Sequence, residues 1–270
     1  MKPLWFVHVL ETTFPNIKFI AKLTRVPIIG KIIDSLLFEG DDIVYLTQDK
    51  VVPVNKEVKT RGETVLPSQV LEHFIEKANY HWIMNFCICR ESMQCKDYPI
   101  NLGCLFLGEA VLGINPQLGR RVTKEEALEH IKRCREAGLV HMIGRNRLDK
   151  QWLGVKPGYK LLSICNCCPC CCLWRISPFL SPKIGKKIKR MPGVKVRVTD
   201  KCIGCGTCTK GSCFVKAISV IGNRAIISNE CRGCGRCISV CPQKAIEITI
   251  DDKKFVKKSI MQIESLVDVS

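Results

Sequence analysis

At 270 residues, nearly half of them apolar, the chain has room for two folded units, one of them small. Nineteen cysteines, with an opening apolar run (Pro3 to Leu10) cut off by Glu11 before it makes a secretory signal, argue against a secreted disulfide scaffold and for metal binding in a reducing cytoplasm, such as that of an anaerobe. The longest uncharged stretch, Leu161 to Trp174, is too short to cross a bilayer, and a formal charge of +17 directs the search for partners to acidic proteins or anionic lipid.

Residues 1–80 hold no cysteine and read as an α+β region with amphipathic helices. From Asn16 to Arg25, Ile17, Ile20 and Leu23 alternate with Lys18, Lys22 and Arg25 at helical spacing, until Pro27 interrupts. Ile28, Ile29, Ile32, Ile33, Leu36 and Leu37 recur at the same period, and Gly40 closes this second helix. Such a pair packs on the rest of the region, or lies on the inner face of a membrane with its basic residues at the headgroups. Ile43 to Leu46 and Val51 to Val54 predict a strand pair across Gln48-Asp49. Pro67 opens a helix reaching Ala78, with Leu71, Phe74 and Ile75 on its apolar side. No catalytic constellation is visible here.

Residues 81–175 are the cysteine-rich region. Cys87, Cys89, Cys95 and Cys104 follow a Cys-x-Cys-x5-Cys-x8-Cys pattern, four soft thiolates suited to a third 4Fe–4S cluster or a zinc site. Cys87 and Cys89 share one side of an extended segment, and Arg90 beside them favours the thiolate form. Thr123 and Glu126 form a capping box for a helix that Gly138 ends, and Leu139 to Ile143 reads as a strand. This pairing admits a winged-helix-like arrangement. Cys134 falls inside the helix as a core residue, and His81 and His141 are expected to be structural. Cys165, Cys167, Cys168, Cys170, Cys171 and Cys172 then crowd into eight positions. Adjacent cysteines point different ways, so no single cube takes them all, and a mixture of ligands and packed thiols is expected. With the earlier four, they suffice for one or two further iron–sulfur clusters, or for a non-cubane cluster.

Residues 176–197 read as a basic linker: between Ser181 and Arg197 lie Lys183, Lys186, Lys187, Lys189, Arg190, Lys195 and Arg197, and no acid. The other reading of this stretch is a docking patch for an acidic redox partner. Residues 198–252 carry two similar cysteine runs, C-I-G-C-G-T-C-T-K-G-S-C and C-R-G-C-G-R-C-I-S-V-C-P. Each Cys-x-x-Cys-x-x-Cys wraps three corners of a cube, and the fourth cysteine of each run ligates the other cluster. Cluster one would take Cys202, Cys205, Cys208 and Cys241; cluster two, Cys231, Cys234, Cys237 and Cys213. Lys216-Ala217-Ile218 and Lys244-Ala245-Ile246 repeat the same helix-to-strand step. The tail, 253–270, is expected to add a strand or short helix to this surface.

On these motifs, residues 198–252 resemble a bacterial-type ferredoxin with two 4Fe–4S clusters. They depart from it in the four residues between Cys208 and Cys213 and in Phe214, where the family has proline. Across its whole length, through F-C-I-C-R-E-S-M-Q-C, C-L-F-L-G, E-A-G-L-V-H and C-N-C-C-P-C-C-C, the chain resembles ferredoxin-fused iron–sulfur proteins of anaerobic bacteria and archaea. The resemblance implies electron transfer and extra metal ligation, and names no substrate.

The expectation is an α+β protein: a cysteine-rich N-terminal α/β region followed by a ferredoxin-like two-cluster domain. It passes electrons between that pair and an upstream iron–sulfur centre, working with an acidic flavoprotein or ferredoxin. Arg232 and Arg236 should raise the potential of cluster two relative to cluster one. Two other classes stay open: an oxidoreductase with its own reactive centre at Cys165 to Cys172, and an iron–sulfur sensor binding nucleic acid. The Thr123 helix argues against the latter, because Glu125, Glu126, Glu129 and Glu136 offset its Lys132, Arg133 and Arg135.

Overall fold

The computed structural model describes residues 2–52 and 66–270. The fold is mixed α+β. It opens with a helix the periodicity did not reveal, Leu4–Thr13, continuing through a tight turn into Ile17–Leu23. Pro27 then occupies the first turn of the helix Pro27–Ile33, where its missing N–H costs nothing; it starts this helix as well as ending the last. Gly40, with φ of 73°, turns the chain into the sheet.

Seven strands form that sheet: β1 (Asp42–Tyr45), β2 (His81–Met84), β3 (Leu105–Leu107), β4 (Gly119–Val122), β5 (Val140–Arg145), β6 (Leu162–Cys167) and β7 (Ile188–Arg190). Their order is β4-β2-β3-β6-β5-β1-β7, antiparallel throughout except for β1 beside β7. The partners of β1 are thus β5 and β7. The strand expected at Val51 to Val54 is not its partner: Asp49–Val51 is a single 3-10 turn, and Pro53 and Val54 lie outside the described residues.

Helices cover both faces. Gln69–Lys77, Lys124–Glu136 and Phe255–Glu264 pack one face, through Leu71, Phe74, Ile131 and Ile263 against Leu105, Ile143 and Ile164. The N-terminal helices, the 168–180 loop and Phe214 cover the other. Cys165 and Cys167 lie two apart on β6 and so share this second face, opposite to Ile164.

Thr123 and Glu126 form their capping box, but the helix they start feeds the interior strand β5 in place of a small wing. The winged-helix-like expectation is corrected accordingly: long-range pairing of β5 with β1 and β6 outweighs the local helix–strand pattern.

The basic stretch after Ser181 is built into the body. It contains Pro182–Gly185 and β7, and Lys183 and Lys187 both pair with the buried Asp34, at 2.7 and 2.5 Å. The last four strands are β8 (Val194–Val198), β9 (Ile218–Ile221), β10 (Arg224–Ile227) and β11 (Ile246–Ile250), pairing as β8 with β11 and β9 with β10. The tail forms the helix Phe255–Glu264, which crosses to the helix Gln69–Lys77 instead of extending this surface, because Phe255 and Ile263 fit the main core. Lys77 and Glu264 tie the two helices at 2.6 Å.

Candidate metal centres

Residues 198–250 carry two loop sets with matching backbone. Gly204 and Gly233 have φ of 69° and 66°, Gly206 and Gly235 have 74° and 83°, and Lys216 and Lys244 have 51° and 47°. Gly204 is doubly required, since a Cβ there would also stand 2.7 Å from the Asn223 backbone. Cys202, Cys205, Cys208 and Cys241 line one small pocket. Cys213 gathers with Cys231, Cys234 and Cys237, each of whose thiols burial pushes up, with the neighbouring sulfurs adding to the shift. The eight thiols thus fall into two crossed groups.

Backbone N–H groups point at these sulfurs. Ala217 donates to Cys213 at 3.2 Å and Ala245 to Cys241 at 3.3 Å, the same step of the repeat. Ala225 donates to Cys202 at 3.3 Å and Gly233 to Cys231 at 3.4 Å. Donors of this kind stabilise thiolate and cluster charge. Phe214 has its own use: it is buried with its ring 5.6 Å from Tyr45, seating the loop on the main sheet.

Upstream, the structure divides the cysteines differently from their order in the chain. The sulfurs of Cys95, Cys168, Cys170 and Cys171 all lie within 4.8 Å of one another, the one such group among the described residues. Cys95 and Cys170 are 3.5 Å apart, Cys170 and Cys171 3.6 Å. The expected set of Cys87, Cys89, Cys95 and Cys104 is not brought together. Cys87 caps a helix, Ile88–Ser92, where the sequence suggested an extended segment; the turn after it (Gln94, φ 46°) carries Cys95 to the other side. Cys87, Cys89 and Cys104 join Cys165, Cys167 and Cys172 instead, around a second cavity. Cys87 accepts from Cys89, which with Arg90 brings its thiol down to about 7.

Between the two sets stands Arg90, fully buried and without a carboxylate partner among the described residues. It donates to the Asn166 carbonyl at 2.8 Å and to the Leu102 carbonyl, while its Nε has no partner. Burial opposes its charge, but Cys87, Cys168 and Cys104 outweigh that, and its pKa is raised. A buried guanidinium whose oxygen partners are neutral carbonyls is costly, and the sulfurs of Cys87, Cys168 and Cys104 are the groups placed to offset it. Asn166 holds the surroundings: its amide donates to Gly103 O at 2.7 Å and its side-chain oxygen sits 2.8 Å from His141 Nδ1.

His81 bonds to Ile75 O at 2.7 Å, and neither His81 nor His141 belongs to the thiol groups. Cys134 is buried in the core, its thiol pushed up to about 12 by that burial. Sequence reasoning missed Tyr45, Tyr98, Asp149 and Trp174. Asp149 is a buried carboxyl beside Cys165, raised by desolvation to about 7 and held by Trp152 Nε1 at 2.9 Å.

Residues 209–251 match the LdpA Fe-S cluster-binding domain, a span that includes Cys213, Cys231, Cys234, Cys237 and Cys241. No curated protein and no solved structure matches the chain. The donor set fits the group named by that match: thiolates only, with backbone N–H groups aimed at the sulfurs. The chain is an iron–sulfur protein. Thiolates held this way bind iron and bridging sulfide, and the group so formed supplies one-electron chemistry.

Proposed function

We propose that the protein carries electrons between a ferredoxin-like pair of 4Fe–4S clusters, ligated by the two crossed groups, and an upstream iron–sulfur centre held by Cys95, Cys168, Cys170 and Cys171. The observation that carries this reading is contact between the two ends. Arg236, beside Cys234, stands 5.5 Å from the centroid of the Tyr98 ring and donates to its hydroxyl, and Tyr98 adjoins Cys170 and Cys168. On the other side the fully buried Tyr45 has Cys234 on one flank and Cys172 and Cys167 on the other. Close, dry packing favours electron exchange within the chain over exchange with solvent.

An electron partner has a place to dock. A cleft of about 980 Å³ beside Cys231 is lined by Arg25, Lys186, Lys189, Arg190, Lys195 and Lys216. This favours an acidic flavoprotein or ferredoxin. The outer faces of the N-terminal helices expose Trp5, Phe19, Ile28 and Ile32 among Lys18, Lys22 and Lys31, which supports peripheral contact with an anionic membrane face. No described helix is long and apolar enough to cross a membrane.

The test is a reduction experiment on the full chain. In Cys234→Ser/Cys237→Ser protein, reduction of the upstream centre by an external ferredoxin should slow at least tenfold. An unchanged rate would show that electrons bypass cluster two and would end this reading.

A second reading, an oxidoreductase with its own reactive centre, is favoured by one observation. The cavity at Cys165, Cys167 and Cys172 also contains Asp149, a buried carboxyl able to hold a proton near neutrality. Turnover of a small oxidant without any protein partner would select it.

A further inference from the structure

The six upstream thiols outside the Cys95 group share one chamber. Cys87, Cys89, Cys104, Cys165, Cys167 and Cys172 all line a cavity of about 330 Å³, bounded by Leu10, Ile17 and Leu37 of the N-terminal helical segment and by Trp174; Cys168 of the Cys95 group also reaches its wall. We propose that this chamber is a second upstream metal site, distinct from the Cys95 group, and that it holds a polynuclear iron–sulfur cluster. The inference rests on the reading of the protein as an iron–sulfur electron carrier.

Three observations support it. The first is spacing. Among the described residues only the Cys95 group closes to within 4.8 Å, a compact set, whereas the six chamber thiols stand around a void. A tetrahedral ion with metal–sulfur bonds of about 2.3 Å draws its thiolates to about 3.8 Å from one another. The chamber is too open for that, yet its thiols remain linked as neighbours: Cys87 with Cys89, Cys104 with Cys165, and Cys167 with both Cys165 and Cys172. Six thiolates also exceed the four that one cube takes, leaving ligands to spare for a larger cluster.

The second observation is charge. Arg90 also lines the chamber, and its Nε is buried without a partner. Cys168 of the Cys95 group meets this cation from one side and Cys87 and Cys104 of the chamber from the other, so thiolates on a chamber cluster share in neutralising it. The third is donor direction. The Leu173 backbone N–H donates to Cys89, the Trp174 backbone N–H reaches Cys172 Sγ at 3.4 Å, and the Trp174 side chain donates to Cys165. Packed apolar thiols do not need three such donors; cluster-bound thiolates are tuned by them.

Iron and acid-labile sulfide per chain test this on anaerobically purified full-length protein. Two cubes in the ferredoxin-like part and one at the Cys95 group account for at most about twelve irons. Wild-type protein with more than about twelve supports the chamber cluster; about twelve or fewer overturns it. Cys104→Ser/Cys167→Ser should lose about four irons or more, with matching sulfide, and Cys89→Ser/Cys172→Ser should lose the same complement. The loss should add to that of Cys95→Ser/Cys171→Ser. Retention of wild-type iron and sulfide in both chamber variants overturns the proposal, as does a non-additive loss, which would mean one shared centre. Retained reduced-cluster EPR signals from the ferredoxin-like pair show that each variant is folded; should both chamber variants lose them, the wild-type count decides. Failure of the electron-carrier reading would appear in reduction rates and leave these counts unchanged.

Discussion

Arg90 is the most informative single residue for the upstream region, because its charge is buried and its partners are known. Replacing it by glutamine keeps one amide donor for the Asn166 or Leu102 carbonyl and removes the charge. The carbonyl left without a donor costs about 1–3 kcal/mol. The electrostatic effect is separable from this. With a cluster about 6 Å away and an effective dielectric constant of about 20, a unit charge is worth about 3 kcal/mol. For a one-electron couple that is on the order of 100 mV, in the direction that makes the reduced, more negative state harder to reach. An EPR-monitored redox titration of Arg90→Gln should therefore show an upstream midpoint lowered by on the order of 100 mV, with the ferredoxin-like pair unmoved. A shift below about 30 mV, or an equal shift of all the clusters, would refute the placement of thiolate-bound metal around Arg90.

Three shorter predictions follow from other sites. His141 is buried neutral, its pKa lowered by desolvation to about 4 from 6.5. Its contribution to stability is full above about pH 6.5 and is lost as the pH falls toward 4, about 3 kcal/mol across the window; His141→Gln should flatten urea-derived stability between pH 6.5 and 4. Gly204→Ala should cost about 1–3 kcal/mol and release cluster-one iron first, read by thermal melting with iron analysis; wild-type values would contradict the required backbone. Lys186→Glu/Lys216→Glu, both exposed in the basic cleft, should slow reduction by an acidic ferredoxin about tenfold at low salt and leave it unchanged at about 1 M salt. A salt-independent loss would place the docking site elsewhere.

Local patterns were legible where local physics decides the outcome. The Thr123–Glu126 capping box, the helix ended by Gly138 and the amphipathic segments around Ile17 and Leu71 all depend on neighbours within a few residues. The alliance of Cys95 with Cys168, Cys170 and Cys171 was not legible, because it joins residues about seventy positions apart through the pairing of β3 with β6. The basic stretch after Ser181 looked like a linker since its cations have no acid nearby in sequence; Lys183 and Lys187 find Asp34, in the helical turn before the first β-strand, Lys189 finds Asp42 on that strand, and Lys195 and Arg197 find Asp251 and Glu247. Tyr45 and Tyr98 carry no motif at all, and their positions between thiol groups emerge only once the C-terminal cysteine loops are seated on the sheet.

That seating gives the two C-terminal thiol groups unequal dependence on the rest of the chain. Around the Cys231 group, Gly233 O accepts from Thr47 Oγ1 at 2.8 Å, Cys234 O accepts from the Gln48 N–H at 3.2 Å, and Arg236 donates to Gly138 O at 2.9 Å. Phe214, next to Cys213, is buried against Tyr45. The Cys202 group leans on its own neighbours instead: Ala225 and Ala245 supply the donors, and Cys205 is exposed. Cutting the chain to residues 195–270 removes the hydrogen bonds to Thr47, Gln48 and Gly138, with those of Arg236 to Tyr98, Arg232 to Gly185 and Ser239 to Gln48, each worth about 0.5–1.5 kcal/mol net, and exposes Phe214 at about 2 kcal/mol more. The tail helix also loses its packing on the main core, but of the two thiol groups it is the Cys231 group that loses these contacts. Anaerobic reconstitution of the fragment should therefore give about four firmly held irons, with a further four lost readily to a chelator. Equal retention of both sets would show that residues 195–270 hold both groups without the contacts to Tyr45, Thr47 and Gly138.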